Sequence, residues 1–212
     1  MDVTVVIPTI PGREELLQRA VDSVRDQLFR PEWLLVEVDH DRTGAAATRN
    51  RALDRVTTEW VAWVDDDDQL LPNHLSSIVG WHMAAKEAGE EADLYYPGMI
   101  AVGGRDPLAC PVNSVLVNPY CVPFREEQKQ HLLRVGNFIP ITWVGRVSLI
   151  RQVFGFPEPW ADPSKGSGRV EEDYGLLVNM LNAGGRFMHV PVRSWKYFFH
   201  EANTGGRGTD TI

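Results

Sequence analysis

The segment WVAWVDDDDQLLP (residues 60–72) joins five mostly apolar residues to four consecutive aspartates and a turn that ends in proline. A short apolar run bounded by a turn is typical of a buried strand, so the aspartates follow directly on the end of that strand. Two carboxylates about 4 Å apart repel each other by roughly 1 kcal/mol in water and about 4 kcal/mol at the effective dielectric of a protein surface. The segment therefore predicts that a positive charge lies beside these carboxylates.

Strands and helices alternate around this segment. Two more strands are predicted at VTVVI (3–7) and WLLVEV (33–38). Apolar residues recur at helical spacing between residues 16 and 28, and further helices are predicted from Gly44 onward and from residue 75 to Gly89. This alternation predicts βαβ units, an α/β fold and a parallel sheet.

Polar residues follow each of the three strands. Thr9 follows the first strand, Asp39 and Asp41 follow the second, and the aspartates 65–68 follow the third. Ligands of open parallel sheets bind outside the carboxyl ends of the strands. We therefore expect these residues to share one edge of the sheet and to form a binding site there.

The second half of the chain is less regular. Five prolines interrupt residues 103–147 around one helix candidate at 125–135. EEDYGLLVNMLNAGG (171–185) predicts a helix with an acidic first turn, and RFMHVPVRSWKYFFHEAN (186–203) predicts two late strands. We expect a single domain over residues 1–212, regular up to residue 102 and irregular from residue 103.

Composition excludes several classes of protein. The formal net charge of −8 disfavours non-specific binding to nucleic acid, which needs a positive field. The chain has no apolar run near the roughly 20 residues of a transmembrane segment, and Met1 leads into a strand without a basic leader. Cys110 and Cys121 indicate no disulfide framework. These features predict a cytoplasmic protein and leave peripheral membrane association open.

The aspartates are candidate ligands for a hard cation. A calcium loop of the EF-hand type that began at Asp65 would need glycine at its sixth position and glutamate at its twelfth, where Leu70 and Ser76 stand. Asp65 and Asp67 instead offer the oxygen ligands that Mg²⁺ or Mn²⁺ prefers together with phosphate oxygens. The spacing predicts a metal that bridges a diphosphate.

Six segments, in order, resemble the motifs of the family 2 inverting glycosyltransferases of the GT-A fold. They are VTVVIPTIPGREELLQRAVDSV (3–24), VEVDHD (36–41), GAAATRNRAL (44–53), VAWVDDDDQLLPNHL (61–75), EEDYGLLVNMLNAG (171–184) and YFFHEANTG (197–205). The resemblance implies a Rossmann-like, mostly parallel sheet flanked by helices, with a nucleotide-sugar-binding half (1–102) and an irregular acceptor and catalytic half (103–212).

The same resemblance implies a metal-dependent transfer, with inversion, from a nucleotide sugar, expected to be UDP-linked, to the hydroxyl of a glycan, lipid-linked or protein acceptor. It implies donor contacts from Pro8, Thr9, Asp39, Arg49, Asp65 and Asp66. It implies Mn²⁺ or Mg²⁺ bound by Asp65, Asp67 and His200. Asp173 matches the position of the general base, with Glu172 beside it as the other catalytic candidate.

Each of these residues also has a structural interpretation. Asp39 suits a helix N-cap, Arg49 an exposed surface and Asp67 a solvated acidic turn. His200 suits a core position, and Asp173 an ordinary acidic helix start. Trp143 and Trp160 could stack on a sugar, but in a chain with seven tryptophans packing is the commoner role.

Two other functions compete with glycosyl transfer. A nucleotidyltransferase needs a glycine-rich and basic phosphate loop after the first strand, but PTIPGREE (8–15) has one glycine and one arginine. A non-catalytic nucleotide- or carbohydrate-binding module does not need the second acidic pair, Glu172 and Asp173, because binding alone requires no base. A P-loop is excluded, since no lysine completes G-x-x-x-x-G-K.

Overall fold

The computed structural model describes residues 1–102, 123–162, 164 and 168–198. The strands in these ranges are β1 (Val3–Thr9), β2 (Trp33–Val38), β3 (Trp60–Trp63), β4 (Gln69–Leu70), β5 (Leu94–Val102), β6 (Val144–Arg146), β7 (Trp160–Ala161), β8 (Arg169–Val170) and β9 (Phe187–Phe198). The helices are α1 (Glu14–Arg25), α2 (Ala45–Arg55), α3 (His74–Glu87), α4 (Glu126–Arg134), α5 (Val147–Gln152) and α6 (Glu172–Asn182).

Seven strands form one sheet in the order β2-β1-β3-β6-β5-β9-β4. Strands β1, β2, β3, β5 and β9 run in the same direction, while the short strands β6 and β4 run against them. Strands β7 and β8 pair separately as an antiparallel hairpin. The prediction of an α/β fold with a mostly parallel sheet is confirmed.

The sheet is covered on both faces, as the alternation of its buried residues requires. In β3, Val61 and Trp63 belong to the apolar cluster that also contains buried residues of α2, α4, α5 and α6. The neighbouring residues Trp60 and Ala62 belong to the cluster that contains buried residues of α1 and α3. Side chains alternate between faces along a strand, so one strand supplies both halves of the core.

Two expectations about element boundaries are wrong. The first helix ends at Arg25, and Leu28 lies beyond it with 75% of its surface exposed. The two late strands are one strand, β9, which pairs with β5 over nearly its whole length. The pairing register shifts on either side of Gly98, and Pro191 is one of the β9 residues that have no paired residue in β5 there. Proline cannot donate a ladder hydrogen bond, so the chain forms an irregularity there and then continues as the same strand.

Hydropathy adds one finding to this architecture. None of the helices in the described residues combines the length and the apolar character that a membrane crossing would require.

Candidate active site

The predicted site lies at the carboxyl ends of β1, β2 and β3, where the backbone brings the three strand ends together. The Asp39 N–H donates to the carbonyl of Thr9 at 2.8 Å. The Thr9 hydroxyl donates to Asp66 Oδ2 at 2.5 Å. Pro8 precedes Thr9 and is in register with Glu37 of β2. The expectation that these polar residues share one edge of the sheet is therefore confirmed.

The four aspartates point in different directions. A backbone hydrogen bond from Asp68 N to Asp65 O, at 3.1 Å, closes a turn that brings the first and last of them together. Asp66 is 2% exposed and turns inward to Thr9. Asp68 is 1% exposed and accepts a hydrogen bond from Phe198 N at 3.4 Å. The run is therefore divided by the turn into separately held carboxylates.

Two arginines supply the positive charge that the sequence predicts beside this turn. Arg13 Nη1 lies 2.9 Å from Asp66 Oδ1, and its Nη2 lies 2.5 Å from Asp67 Oδ2. Arg49 Nη2 lies 2.8 Å from Asp65 Oδ1, and its Nη1 forms an ion pair with Glu172. The Arg49 side chain is 7% exposed, which makes the surface interpretation of this residue wrong.

The geometry supports a cation site that includes one residue the sequence did not select. One carboxylate oxygen each from Asp65, Asp67 and Asp68 lies within 4.8 Å of the other two. Asp68 Oδ2 is buried and has no hydrogen-bond partner among the described residues. Burial raises the pKa of the Asp68 carboxyl well above its usual range. An unsatisfied oxygen beside two further carboxylates fits a hard divalent cation.

Asp66, which the sequence predicts as a donor contact, is not among the three clustered carboxylates. It faces Thr9 and Arg13 instead. His200, the predicted third metal ligand, lies outside the described residues. Its role therefore stays a prediction.

Asp39 holds the turn that leads into α2. Its Oδ1 accepts hydrogen bonds from Thr43 N at 3.0 Å and from the Thr43 hydroxyl at 2.7 Å, and its Oδ2 accepts one from Gly44 N at 2.9 Å. Arg51 Nη2 donates to Oδ1 at 3.2 Å. Burial alone would raise the pKa of Asp39, but these hydrogen bonds outweigh it and hold the pKa well below its usual range. The carboxylate stays ionised, and Oδ2 retains room for a second donor.

The acidic start of α6 lies against the same site. Glu172 pairs with Arg49, whereas Asp173 Oδ2 accepts a hydrogen bond from Asn137 Nδ2 at 3.2 Å. Burial, followed by the charge of Glu172, raises the pKa of Asp173 to about 6. Adjacent helical residues point about 100° apart, which explains their different partners. A carboxylate with a pKa near 6 suits a general base at neutral pH.

The two tryptophan candidates have different environments. Trp143 has no exposed surface and packs edge-on against Trp63, so the packing interpretation is confirmed for this residue. Trp160 is 42% exposed.

Sequence reasoning missed three residues of the site. Arg13 and Asp68 lie in segments that it quoted, but nothing in their spacing shows which neighbour they contact. Asn137 lies in an irregular stretch between α4 and β6, where no periodic signal exists.

Comparisons with known proteins agree with this architecture. The family model for glycosyl transferase family 2 matches residues 33–93. A beta-1,3-glucosyltransferase of Campylobacter jejuni, named for GalNAc(5)-diNAcBac-PP-undecaprenol, is 25% identical over 103 residues, which cover 36% of this chain and 33% of that protein. These two matches confirm the resemblance to family 2 glycosyltransferases.

Solved structures confirm the GT-A fold. S. aureus TarS 1–349 in complex with UDP-GlcNAc superposes with a TM-score of 0.69 at 18% identity, covering 96% of this chain and 60% of that one. The mannosyltransferase PcManGT of Pyrobaculum calidifontis, in complex with GDP-Man and Mn²⁺, superposes with a TM-score of 0.59 at 15% identity, covering 95% and 58%. This chain thus spans a third to three fifths of the length of these relatives.

Proposed function

We propose that this chain transfers a sugar from a nucleotide-sugar donor to an acceptor hydroxyl with inversion and with a divalent cation bound. The observation that carries the proposal is the pair of acidic groups linked by Arg49. This one buried guanidinium joins Asp65 of the acidic turn to Glu172, the neighbour of Asp173. The proposed cation site for the leaving diphosphate and the proposed base for the acceptor would thus share one scaffold.

The first half of the chain is proposed to bind the donor. Pro8, Thr9 and Asp39 lie at the ends of β1 and β2, where the nucleoside of the donor would bind. Asp39 Oδ2 is the proposed acceptor for an imide or hydroxyl of the nucleoside, and Arg49 the proposed donor toward the diphosphate. The complex of TarS with UDP-GlcNAc supports UDP, although PcManGT is complexed with GDP-Man.

Asp65, Asp67 and Asp68 would hold the cation, which when bound offsets negative charge on the diphosphate. The Mn²⁺ complex of PcManGT supports Mn²⁺ or Mg²⁺. Asp66 orients Thr9 and Arg13 instead of binding the metal. His200 remains a further proposed ligand.

The second half, from residue 103 on, is proposed to bind the acceptor. Inversion is a single displacement at the anomeric carbon, so the base must lie opposite the leaving diphosphate. Asp173 accepts a hydrogen bond from Asn137 and would remove the proton of the acceptor hydroxyl. Glu172 would orient Arg49 and keep the Asp173 pKa high.

The proposed setting is the cytoplasmic side of a membrane surface. The Campylobacter relative is named for an acceptor linked to undecaprenol pyrophosphate, which supports a lipid-linked glycan acceptor and peripheral association.

Calorimetry with UDP-GlcNAc, UDP-glucose and GDP-mannose, in Mn²⁺ and in excess chelator, tests donor binding. We expect at least one donor to bind only with the metal, and Asp67→Asn to abolish that dependence. Asp22→Asn, at an exposed position of α1, is the matched control and should behave as wild type. Equal donor affinity in chelator, together with no release of sugar from any donor, would contradict the proposal.

A further inference from the structure

Trp160 lies beside the helix that carries the proposed base. It is in β7, where it is in register with Val170 of β8, and this hairpin leads directly into α6. The other described tryptophans differ. Four have at most 1% exposure, Trp33 lies at the amino end of β2, and Trp81 lies on α3. Trp160 is thus the exposed indole beside α6, whose first turn carries Glu172 and Asp173.

Gly175 provides the surface on which this indole rests. A Cβ added at Gly175 would lie 2.8 Å from Trp160 Cζ3, 3.0 Å from Trp160 Cη2 and 2.6 Å from Pro157 Cγ. Glycine inside a helix costs about 1 kcal/mol relative to alanine. Its presence in the first turn of α6 is explained by the close approach of the ring, which any side chain would prevent.

The segment before Trp160 is anchored to the active-site scaffold. Asn50 Nδ2 donates to Phe156 O and Phe156 N donates to Asn50 Oδ1, both at 2.8 Å. The Phe156 ring lies under the guanidinium of Arg49, 5.6 Å from its carbon to the ring centroid. Trp160 follows this anchored segment by four residues, and its benzo ring lies against Gly175 of α6 with 42% of the residue's surface exposed.

The charge around this ring favours a neutral ligand. Residues 160–175 carry four carboxylates and two cations, Arg169 and Lys165, of which Lys165 lies outside the described residues. Arg169 is paired with Glu171 at 3.0 Å, and Arg49 is paired with Glu172. Both of these arginines are engaged by carboxylates, so they offer little positive charge to a phosphate or a carboxylate bound against Trp160. A pyranose presents an uncharged face of C–H groups that suits an aromatic ring, and hydroxyls that suit the neighbouring carboxylates.

We propose that Trp160 is the binding platform for a neutral sugar ring of the acceptor, so that the acceptor is a saccharide whose hydroxyl is presented to Asp173. This inference rests on the proposed function and adds the substrate class of the acceptor side. It excludes acceptors that offer only a polyol phosphate or a peptide hydroxyl, since neither has a sugar face to stack on the indole.

Acceptor kinetics test the inference. With neutral glycosides as acceptors, Trp160→Ala should raise the acceptor KM at least tenfold while donor affinity and donor hydrolysis stay within twofold. Trp160→Phe should lie between wild type and Trp160→Ala. Gly175→Ala should raise the same KM by displacing the ring. Trp81→Ala, at 41% exposure, is the matched control and should change nothing.

A binding readout covers the case in which Trp160→Ala fails to fold. In the Trp33→Phe/Trp81→Phe variant, Trp160 is the remaining exposed tryptophan, because the other four are at most 1% exposed. Saccharide acceptors should then protect the fluorescence from acrylamide quenching, and glycerol phosphate or a serine peptide should not.

The inference is overturned if Trp160→Ala leaves the acceptor KM within twofold of wild type, or if its effect falls on donor affinity. It is also overturned if saccharides give neither transfer nor protection from quenching. Metal-dependent donor binding and donor hydrolysis report on the proposed function separately, so a failure on the acceptor side leaves them intact.

Discussion

Replacing the proposed base with its uncharged isostere, Asp173→Asn, should make the protein more stable and far less active. The pKa of Asp173 is raised from 3.8 to about 6, first by burial and then by the charge of Glu172. As the pH rises, the unfolded chain therefore loses the Asp173 proton at a lower pH than the folded protein does. Below pH 4 Asp173 is protonated in both the folded and the unfolded state, so folding costs nothing for burying its charge. Stability is lost as the pH rises from about 4 to about 6, and the loss is constant above that.

The size of the effect follows from the shift. A shift of about 2 pKa units at about 1.4 kcal/mol each gives a penalty of about 3 kcal/mol at pH 8. Asparagine has one carbonyl oxygen, whereas the Asp173 carboxylate accepts from both Asn137 and Tyr174. Losing one of these hydrogen bonds costs about 1 kcal/mol. The variant should thus gain about 2 kcal/mol at pH 8 and lose about 1 kcal/mol below pH 4.

Urea denaturation in chelator at pH 8 and pH 4, with both proteins, measures this difference. Glu171→Gln, at an exposed position just before α6, is the isosteric control measured at the same two pH values. In the activity assay, kcat/KM of wild type should fall tenfold per pH unit below about pH 6, and Asp173→Asn should lose roughly a hundredfold or more in kcat. The reasoning is refuted if Asp173→Asn is less stable than wild type at pH 8. It is also refuted if its free energy of unfolding differs from that of wild type by the same amount at both pH values.

Three further variants test the charges around the acidic turn. Arg13→Gln should tighten Mn²⁺ binding in calorimetry without donor, because its guanidinium competes for Asp67 Oδ2 at 2.5 Å; an unchanged Kd would show that the two do not compete. Asp39→Ala should weaken donor binding by about 1 to 3 kcal/mol and reduce discrimination between nucleotides; retained discrimination would limit Asp39 to its turn. Arg49→Ala leaves two carboxylates without their partner, so unfolding should become easier by about 3 to 5 kcal/mol in denaturant titrations, and a loss below 1 kcal/mol would mean that the pairs contribute little.

Much of the fold could be predicted because each regular element carries its own periodic signal. The β-branched and aromatic runs located β1, β2 and β3, and the acidic first turn located α6. Position at the carboxyl edge then followed from the direction of parallel strands, which explains why Thr9 and Asp39 were found together. Both predictions depend on the direction of the backbone, which local sequence determines well.

Partners across the fold could not be predicted. Arg13 contacts Asp67, which lies 54 positions away in the sequence, and Asn137 contacts Asp173, which lies 36 positions away. No local pattern records such contacts, because loop conformation decides them. Trp143 and Trp160 could not be told apart for the same reason, since an indole that fills the core and one that is exposed have the same sequence signal. Asp68 was missed because the turn that folds it back toward Asp65 is visible only in the backbone hydrogen bond.

The four aspartates carry more negative charge than the neighbouring side chains neutralise. Asp66 is held by Thr9 and Arg13 in the interior, which leaves three carboxylates converging at the strand end. With Glu172 the local set comprises five carboxylates against the two guanidinium groups of Arg13 and Arg49, an excess of three negative charges when all are ionised. Each guanidinium bridges two carboxylates and cannot serve a third with the same geometry. The oxygens of the converging three remain close to one another, so their repulsion is relieved either by protonation, which the raised pKa of Asp68 favours, or by a further cation. A divalent ion reduces the excess to one, and the compact spacing of the three oxygens suits an ion better than a third side chain.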